Sequence, residues 1–294
     1  MFHRAAFIIP TMNRKQDLDR FLDSVSRQTV LPSQIIIVDG SQISDDAVVK
    51  RHPALPVEYI HAPQKGLTVS RNIGIARVRA EIDLVAMFDD DIVMCPGAME
   101  KMMAYWATAP ADVGGAGFNI TNDKPPSRFV AIKKLFMTGT RERGAVLRSG
   151  FNTSVAPAAE TKIVGWMFGG ATVWRKIVFE KYRYDEWFGG YGFAEDFEFS
   201  LSVGKAYRLA VVADAPVLHL QATVSRIRRF AFGRQEIVYR HYVVVKHRYR
   251  FNIYWFYWAC VGVVLENVVR GIIGLRWDYF VTAAGNIAGI VAVL

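Results

Sequence analysis

Cysteine is scarce in this chain of 294 residues, which contains only Cys95 and Cys260. The two lie far apart and match no spacing typical of zinc sites or redox pairs, so a disulfide framework is disfavoured and a reducing compartment fits best. A secretion signal is also not evident. The apolar run Ala5–Pro10 is too short for the core of one and favours a buried strand instead.

Phosphate-binding glycine loops are missing as well. No GxGxxG follows the first apolar run, and GxxxxGK[ST] occurs nowhere in the chain. These absences argue against a dinucleotide oxidoreductase and against a P-loop NTPase. No recognised nucleic-acid-binding motif is present either, so we expect no nucleic acid partner.

The composition nevertheless supports a well-packed protein. Hydrophobic residues make up 52% of the chain, which excludes global disorder, and the length suits one large α/β domain with a modest appendage. The net charge is +9, but residues 222–294 hold ten Lys and Arg against three Asp and Glu, a balance of +7. The main body is therefore almost neutral, and the basic tail favours an anionic membrane surface as partner.

Strand and helix patterns alternate through the first 120 residues. The apolar and β-branched runs predict strands, and the runs with helical periodicity predict helices between them. We predict strands at Ala5–Pro10, Ile35–Val38, Val57–His61, Leu84–Phe88 and Val113–Phe118, with helices at Lys15–Gln28, Thr68–Val78 and Pro96–Trp106. Such repeated units predict an α/β fold whose central sheet is mostly parallel and covered by helices on both faces.

The second half is less regular. Residues 119–162, which include Lys124-Pro125-Pro126, show no clear period and predict a long loop or irregular insertion. After it we predict helices at Thr172–Lys181 and Glu195–Gly204 and a strand at Arg208–Ala213.

Acidic and polar residues follow several predicted strands. The first strand leads into Pro10, Thr11, Met12, Asn13 and Arg14; the second ends at Asp39; and the fourth leads into Asp89, Asp90 and Asp91. Ligands of parallel α/β sheets bind at the carboxyl ends of the strands, so we expect these residues to lie along one edge.

The aspartate triplet is the sharpest single feature. Three adjacent carboxylates repel one another at neutral pH, and a hard divalent cation with oxygen ligands would relieve that repulsion. In extended chain, Asp89 and Asp91 face one site while Asp90 points aside. The alternatives are a solvated acidic turn and a helix N-terminus stabilised by Asp91.

Taken together, the order of motifs over about residues 4–221 resembles the inverting glycosyltransferases of family 2. The matching segments are the PTxNR-like start at Pro10–Arg14, Asp39 after the second strand, GLTVSRNIGIA at Gly66–Ala76, a DxD pattern at Asp89 and Asp91, GGATVWRK at Gly169–Lys176, GGYGFAEDFEFS at Gly189–Ser200, and His219 in VLHLQ. The resemblance implies a Rossmann-like fold of the GT-A type, with GGATVWRK as a glycine turn leading into a helix.

The resemblance also implies roles for single residues. It places Mg²⁺ or Mn²⁺ on Asp89, Asp91 and His219, and Asp196 as general base with Glu195 beside it. It implies that the nucleotide sugar is bound by Pro10, Thr11, Asn13, Arg14, Asp39, Arg71, Asp89, Asp90 and Gly170. Asp39 would accept from a ring N–H of the base, and Arg71 would touch the diphosphate or brace the carboxylates.

Structural roles remain the alternatives. Asp39 also suits a turn, Arg71 a surface helix, His219 a strand end, and Asp196 the N-terminus of a helix. An aromatic group before the acidic pair suits either an acceptor platform or the core; its members are Trp187, Phe188, Tyr191 and Phe193.

The tail combines positive charge with apolar runs. Ile253–Leu265 would span about 20 Å as a helix, short of a hydrocarbon core of about 30 Å, and Tyr279–Leu294 is also short. Tyr254–Trp258 is a run of aromatic residues typical of a membrane interface. We predict a monotopic or re-entrant anchor on the cytoplasmic face of a membrane. The alternative is a helical hairpin packed on the catalytic domain or in an oligomer.

These observations predict a GT-A catalytic domain over residues 1–221 and a membrane-associated helical tail over 222–294. The nucleotide-binding half would end near residue 118, and the acceptor half would cover 119–221. The expected reaction is sugar transfer, with inversion, from a nucleotide sugar to a hydroxyl on a lipid-linked or growing glycan, as in polysaccharide biosynthesis. A UDP-sugar is favoured over a GDP- or dTDP-sugar, and a homo-oligomer stays open. The alternative functions are a nucleotidyltransferase and an inactive sugar-nucleotide-binding scaffold.

Overall fold

The computed structural model describes residues 3–44, 46–63, 66–123, 130–190, 192–221 and 228–294. Lys124-Pro125-Pro126, Tyr191 and the beginning of the predicted tail at residue 222 lie outside these ranges. The chain forms two compact units. The first unit contains Met1–Lys124 and Val155–Val224, and the second contains Pro125–Ser154 and Ser225–Leu294. Residues 125–154 thus group with the C-terminal helices, although the sequence suggested that they belong to the acceptor half.

The first unit is built on a nine-stranded sheet. Its strands are β1 Ala5–Thr11, β2 Gln34–Asp39, β3 Val57–His61, β4 Leu84–Phe88, β5 Ile92–Met94, β6 Val113–Ile120, β7 Lys162–Val164, β8 Ala171–Arg175 and β9 Arg208–His219. Their order is β3-β2-β1-β4-β8-β6-β9-β5, and β7 also pairs with β9.

Ten helices complete the described part of the chain. They are α1 Lys15–Ser26, α2 Ala47–Lys50, α3 Leu67–Ala76, α4 Ala98–Thr108, α5 Val130–Leu135, α6 Val178–Lys181, α7 Glu195–Val203, α8 Arg229–Lys246, α9 Ile253–Gly274 and α10 Trp277–Val291. The second unit contains α5, α8, α9 and α10, and the other six helices belong to the first unit.

The predicted α/β architecture is confirmed. Strands β1 to β4 form the parallel half of the sheet. β1 pairs in parallel with both β2 and β4, and β2 pairs in parallel with β3. β1 and β2 are buried along their whole length, as expected for apolar strands covered on both faces. The other half is mixed, because β8 runs antiparallel between β4 and β6, while β6 and β9 are parallel.

The predicted helix at Thr172–Lys181 is wrong. Residues Ala171–Arg175 form β8, and only Val178–Lys181 is helical. The segment Thr-Val-Trp is rich in β-branched and aromatic side chains, and Val173 and Trp174 are buried in the sheet, where such residues pack well. The two glycines before it therefore lead into a strand, not into a helix.

Residues 119–162 are more ordered than the sequence indicated. β6 continues to Ile120, α5 occupies Val130–Leu135, and β7 begins at Lys162. The short α5 packs on α9 within the second unit: the rings of Phe136 and Trp258 lie 5.0 Å apart, and Trp258 donates to the Leu135 carbonyl. Contacts distant in sequence thus order part of a segment that has no local periodicity.

The tail contains a longer helix than predicted. The sequence indicated that the apolar run ends at Leu265, whereas α9 continues to Gly274 and has 22 residues. The helix continues because its polar residues are paired within the unit: Glu266 forms ion pairs with Lys133 and Arg270. Among the described residues, α9 is the one helix that is long and apolar enough to cross a membrane.

Candidate functional site

Two parallel strand ends place Thr11 and Asp39 side by side at one edge of the sheet. The Asp39 carboxylate is buried and accepts hydrogen bonds from the Ser41 backbone N–H at 2.8 Å and from the hydroxyls of Ser41 and Tyr59. Asn13 adopts a left-handed backbone conformation (φ 58°), and its N–H donates to the Ser41 hydroxyl at 2.8 Å. This network fixes the Asp39 carboxylate close to the end of β1.

The Thr11 and Arg14 side chains hold the middle aspartate of the triplet. Thr11 Oγ1 donates to Asp90 at 2.7 Å, and Arg14 Nη1 donates to its other oxygen at 3.0 Å. Burial raises the pKa of Asp90 to about 7, although Arg14 and Thr11 oppose that shift. Arg14 also lies 3.6 Å from Asp91. The hydrogen bonds from Thr11 and Arg14 therefore anchor the triplet through its middle residue, Asp90.

Asp89, Asp91 and His219 lie together as a candidate metal site. Each offers one ligand atom, and the three atoms lie within 4.8 Å of one another. The pairing of β5 with β9 places Ile92 opposite His219, which brings the imidazole Nε2 to 3.3 Å from Asp91. Burial lowers the pKa of His219, but the neighbouring Asp91 more than offsets this, so the net shift is upward.

The donor set suits a hard divalent ion. Carboxylate oxygens are the ligands that Mg²⁺ and Mn²⁺ prefer, and a neutral imidazole is a common additional ligand. A cation at this position would also relieve the repulsion between Asp89 and Asp91, to which Arg14, Arg71 and His219 already contribute positive or donor groups. The three side chains therefore fit the ion that the sequence implied.

A glycine pair closes over this cluster. A Cβ atom on Gly170 would lie 2.2 Å from Asp89 Oδ2, so any side chain there would collide with the carboxylate. A Cβ atom on Gly169 would lie 2.8 Å from the Asp196 Cβ atom and 2.9 Å from Arg71 Nη1. The backbone must therefore approach these groups closely, which explains why two glycines precede β8.

Arg71 connects the candidate metal site with the acidic pair of α7. Its guanidinium is almost completely buried and donates to Asp89 Oδ1 at 3.1 Å and to Glu195 Oε1 at 2.7 Å. It also lies over the Tyr184 ring, 5.0 Å from the centroid. Burial lowers the pKa of Arg71, but Tyr184 and the neighbouring carboxylates more than offset this, so the net shift is upward. Of the two roles that the sequence implied, the contacts correspond to bracing the carboxylates.

Asp196 and Glu195 begin α7 but differ in environment. Asp196 is half-buried, and its two oxygens accept from the backbone N–H groups of Gly169 (3.1 Å) and Phe197 (2.7 Å). Burial raises the pKa of both carboxyls, that of Glu195 to about 8 despite its bond to Arg71. Asp196 is the more accessible of the two, so it is better placed than Glu195 to receive a proton.

Tyr59 and Tyr184 join the site without any sequence signal. Tyr184 is buried beside Arg71, and within the described residues its hydroxyl has no hydrogen-bond partner. Of the aromatic group, Phe188 lies in the core and Trp187 is exposed, while Tyr191 is outside the described residues. Phe193 is half-buried. Among the described members of the group, Trp187 and Phe193 are therefore accessible to an acceptor.

Comparison with known proteins gives the family. The family model for Glycosyl transferase family 2 matches residues 6–181, which is more than half of the chain. The chain therefore belongs to glycosyltransferase family 2, as the order of its motifs indicated.

Individual relatives are similar over parts of their length. An uncharacterized glycosyltransferase of Bacillus subtilis, YwdF, is 33% identical over 134 residues, which cover 45% of this chain and 49% of that protein. The chain thus matches about half the length of this relative.

Solved structures with low sequence identity share the fold. The mannosyltransferase PcManGT from Pyrobaculum calidifontis, solved with GDP-Man and Mn²⁺, superimposes with a TM-score of 0.60 at 13% sequence identity. The match covers 99% of this chain and 86% of the mannosyltransferase chain. GalNAc-T7, solved with UDP, GalNAc and Mn²⁺, has a TM-score of 0.59 at 14% identity and covers 93% of this chain and 58% of its own. The GT-A fold is thereby confirmed.

Proposed function

We propose that this family 2 glycosyltransferase transfers a sugar from a nucleotide sugar to a hydroxyl acceptor by a single displacement that inverts the anomeric centre. The observation that carries the proposal is the link through Arg71. One buried guanidinium contacts both Asp89 of the candidate metal site and Glu195 beside Asp196. The groups needed at the leaving diphosphate and at the attacking hydroxyl thus form one connected set.

The donor binds at the edge formed by β1, β2 and β4. Asp39 accepts from a ring N–H of the base, which favours uracil, and GDP- and dTDP-sugars remain candidates. Asp89 and Asp91, with His219, would hold Mg²⁺ or Mn²⁺, and the ion would supply positive charge for the departing diphosphate. PcManGT with GDP-Man and Mn²⁺, and GalNAc-T7 with UDP and Mn²⁺, support this type of donor.

The remaining donor-binding groups act mainly through position. Pro10, Asn13 and Gly170 place backbone close to the nucleotide, and Thr11 and Arg14 orient Asp90. That orientation keeps the outer two carboxylates of the triplet directed at one point. Arg71 fixes Asp89 from the opposite side. Preorganisation of this kind keeps the ligands from reorganising while charge develops in the reaction.

Asp196 acts as general base. The acceptor hydroxyl must lose its proton as its oxygen attacks the anomeric carbon, and a positioned carboxylate receives that proton. Backbone N–H groups of Gly169 and Phe197 fix both oxygens of Asp196, which leaves further lone pairs for the acceptor. Glu195 accepts a hydrogen bond from Arg71 and so fixes the guanidinium beside the acidic pair.

The acceptor is a lipid-linked or growing glycan, and the enzyme works at the cytoplasmic face of a membrane. Residues 1–221 supply catalysis, and residues 222–294 supply a peripheral or monotopic attachment. The apolar α9 and the basic residues before it support this attachment. A homo-oligomer is compatible with this arrangement.

A product assay tests the function. The enzyme is incubated with UDP-, GDP- and dTDP-sugars, Mn²⁺ and a membrane lipid extract, and products are followed by mass spectrometry. We expect release of a nucleoside diphosphate and addition of one sugar to a lipid or glycan, both lost in Asp196→Asn. A parallel incubation contains nucleoside triphosphates and a sugar phosphate in place of the nucleotide sugars, and release of pyrophosphate there would instead identify a nucleotidyltransferase.

A further inference from the structure

The exposed surface of α9 is a single apolar stripe. All residues of this helix are described, and its exposed members recur at helical spacing from one end to the other: Tyr254, Trp255, Trp258, Val261, Leu265, Val269, Ile272, Ile273 and Gly274. None of them carries a charge. The helix has 22 residues, so the stripe is about 33 Å long. A helix on the surface of a water-soluble protein normally exposes its polar side instead.

Polar residues of α9 are paired within the second unit, and among them the Arg270 side chain is 40% exposed. Glu266 pairs with Lys133 at 3.3 Å and with Arg270 at 2.5 Å, and Asn267 donates to Asn286 of α10 at 2.9 Å. Polar groups of the helix are thus partnered by protein, while apolar residues form its exposed side as well as its buried side, which includes Phe256, Cys260 and Val263. A helix that is apolar on both sides indicates that the medium around the stripe is apolar.

Charge brackets the stripe. Exposed Lys246, Arg248 and Arg250 lie immediately before α9, and exposed Arg276, which forms an ion pair with Asp278, lies just after it. The aromatic residues at the start of the helix and Trp277 beyond its end are of the type enriched at the boundary between headgroups and acyl chains. Cations beside an apolar stripe complement an anionic lipid surface, whereas they would repel one another across two copies of this chain.

The packing of α8 decides how α9 meets the lipid. α8 runs parallel to α10: Arg229 pairs with Asp278, and farther along both helices a Cβ atom on Gly289 would lie 2.8 Å from the Arg234 carbonyl. Glycines allow this close contact, and α10 also packs on α9.

Insertion of α9 across the hydrocarbon would therefore carry α8 with it. Arg228, Arg229 and Arg234 of the α8 segment are exposed, and ionised side chains facing hydrocarbon are strongly unfavourable. An apolar stripe on α9, together with exposed arginines on the α8 segment, fits a helical bundle that lies on the membrane surface.

We infer that α9 lies in the plane of one leaflet of an anionic bilayer, with the stripe buried at the boundary between headgroups and acyl chains. The inference rests on the proposed membrane attachment and assigns its surface and orientation. The ligand is the lipid surface itself, recognised by apolar area along the helix and by cations at its two ends.

Vesicle partitioning tests the surface. The full chain and two double variants are mixed with phosphatidylcholine vesicles that contain or lack phosphatidylglycerol, and the bound fraction is measured by flotation. We expect Val261→Glu/Val269→Glu to weaken partitioning about tenfold per substitution. The control Ile163→Glu/Ile177→Glu changes equally exposed apolar residues of the first unit and should bind like the wild type. Equal binding by all three proteins would overturn the assigned surface while leaving membrane attachment intact.

Depth measurements test the orientation. Nitroxide labels are placed singly at Tyr254→Cys, Val261→Cys, Leu265→Cys and Ile273→Cys, in a chain whose Cys95 and Cys260 are replaced by Ala. An in-plane helix gives about the same shallow depth, of roughly 5–10 Å, at all four sites. A depth that is greatest at Val261 and Leu265 and small at both ends would show a spanning helix and overturn the inference. No vesicle binding by the wild type, with a concentration-dependent dimer instead, would overturn both the inference and the proposed attachment, while the product assay would still report on catalysis.

Discussion

The guanidinium of Arg71 donates to Glu195 Oε1 at 2.7 Å, which joins α3 to the start of α7 across 124 positions of the sequence. The other terminal nitrogen of the same guanidinium donates to Asp89. Because this buried cation donates to two carboxylates, the stability of the site depends on residues that also take part in its chemistry. The loss of Arg71 would leave both acids without this partner in a region of low dielectric constant.

We expect Arg71→Met to destabilise the fold by about 3–5 kcal/mol when it is measured above pH 8, where Glu195 is ionised and removal of its buried partner leaves that charge uncompensated. Arg77→Met is the matched control, since Arg77 follows the same helix but has a largely exposed side chain that lies 3.9 Å from Glu58. Its effect should stay within about 0.5 kcal/mol. Urea unfolding in the presence of a chelator measures both. Equal stabilities of the two variants would contradict the bracing role of Arg71.

Gly170→Ala should weaken Mn²⁺ binding about 10- to 100-fold, the range typical of groups that orient metal ligands. The added methyl group would lie 2.2 Å from Asp89 Oδ2 and would push this carboxylate away from Asp91 and His219. Gly189→Ala is the control, because a Cβ atom there meets nothing within 4 Å. Titration calorimetry with Mn²⁺ gives the affinities. Wild-type affinity in Gly170→Ala would show that Asp89 is not a ligand.

Asp196→Asn should retain donor binding and lose turnover by about 10²- to 10⁴-fold, the usual contribution of one acid–base group. An amide can accept only one of the two backbone N–H bonds that the carboxylate accepts, so the stability of the variant has to be measured alongside its activity. Steady-state kinetics with the donor identified by the product assay gives kcat and KM. A variant that turns over at nearly the wild-type rate would assign the base elsewhere, with Glu195 next in line.

The stability of the metal-free protein should depend on pH through Glu195. Burial, with Asp196 as the next contribution, raises the pKa of Glu195 to about 8, so the folded state holds a proton that the unfolded state has released above a pKa of about 4.3. The contribution of this group is fully present below about pH 4.3 and is lost as pH rises through about 8. The free energy of unfolding should therefore fall by up to about 1.4 kcal/mol per pH unit within this window.

Glu195→Gln isolates that contribution, since glutamine resembles the protonated carboxyl and can still accept from Arg71. The difference in unfolding free energy between wild type and variant, measured by urea titration at several pH values, should change across the window. The range from about pH 5 to about pH 8.5 covers most of the window between the two pKa values. A difference that stays constant over this range would show that Glu195 is not protonated in the folded state.

Much of the site could be predicted because its residues follow strands. Asp39, Asp89 and Asp91 stand directly after apolar runs, and parallel strands bring their carboxyl ends to one edge. The pairing of Arg71 with Glu195 could not be predicted, since it depends on how α7 packs on the sheet. Tyr59 and Tyr184 gave no signal either, because the sequence alone does not distinguish an aromatic residue of the site from one of the core.

The errors in the fold have local causes. β8 carries Thr172 and Trp174 in a pattern that suits a helix or a strand, and the antiparallel pairing with β4 and β6 decides in favour of the strand. Glu266 interrupts the apolar run of α9, so the sequence pattern predicts an end at Leu265. The ion pair of Glu266 with Lys133, 133 positions earlier in the sequence, allows the helix to continue to Gly274. In both cases tertiary contacts override the local pattern.

Thermal stabilisation of the wild type and of Asp91→Ala by UDP-, GDP- and dTDP-sugars, each with Mn²⁺ and with EDTA, tests metal-dependent donor binding. We expect at least one donor to stabilise the wild type with Mn²⁺, by about 2.7 kcal/mol at a hundredfold excess over its dissociation constant. This stabilisation should disappear in EDTA and in Asp91→Ala. Equal stabilisation with and without the metal, or no response to any of the three donors, would contradict metal-dependent binding of a nucleotide sugar at this site.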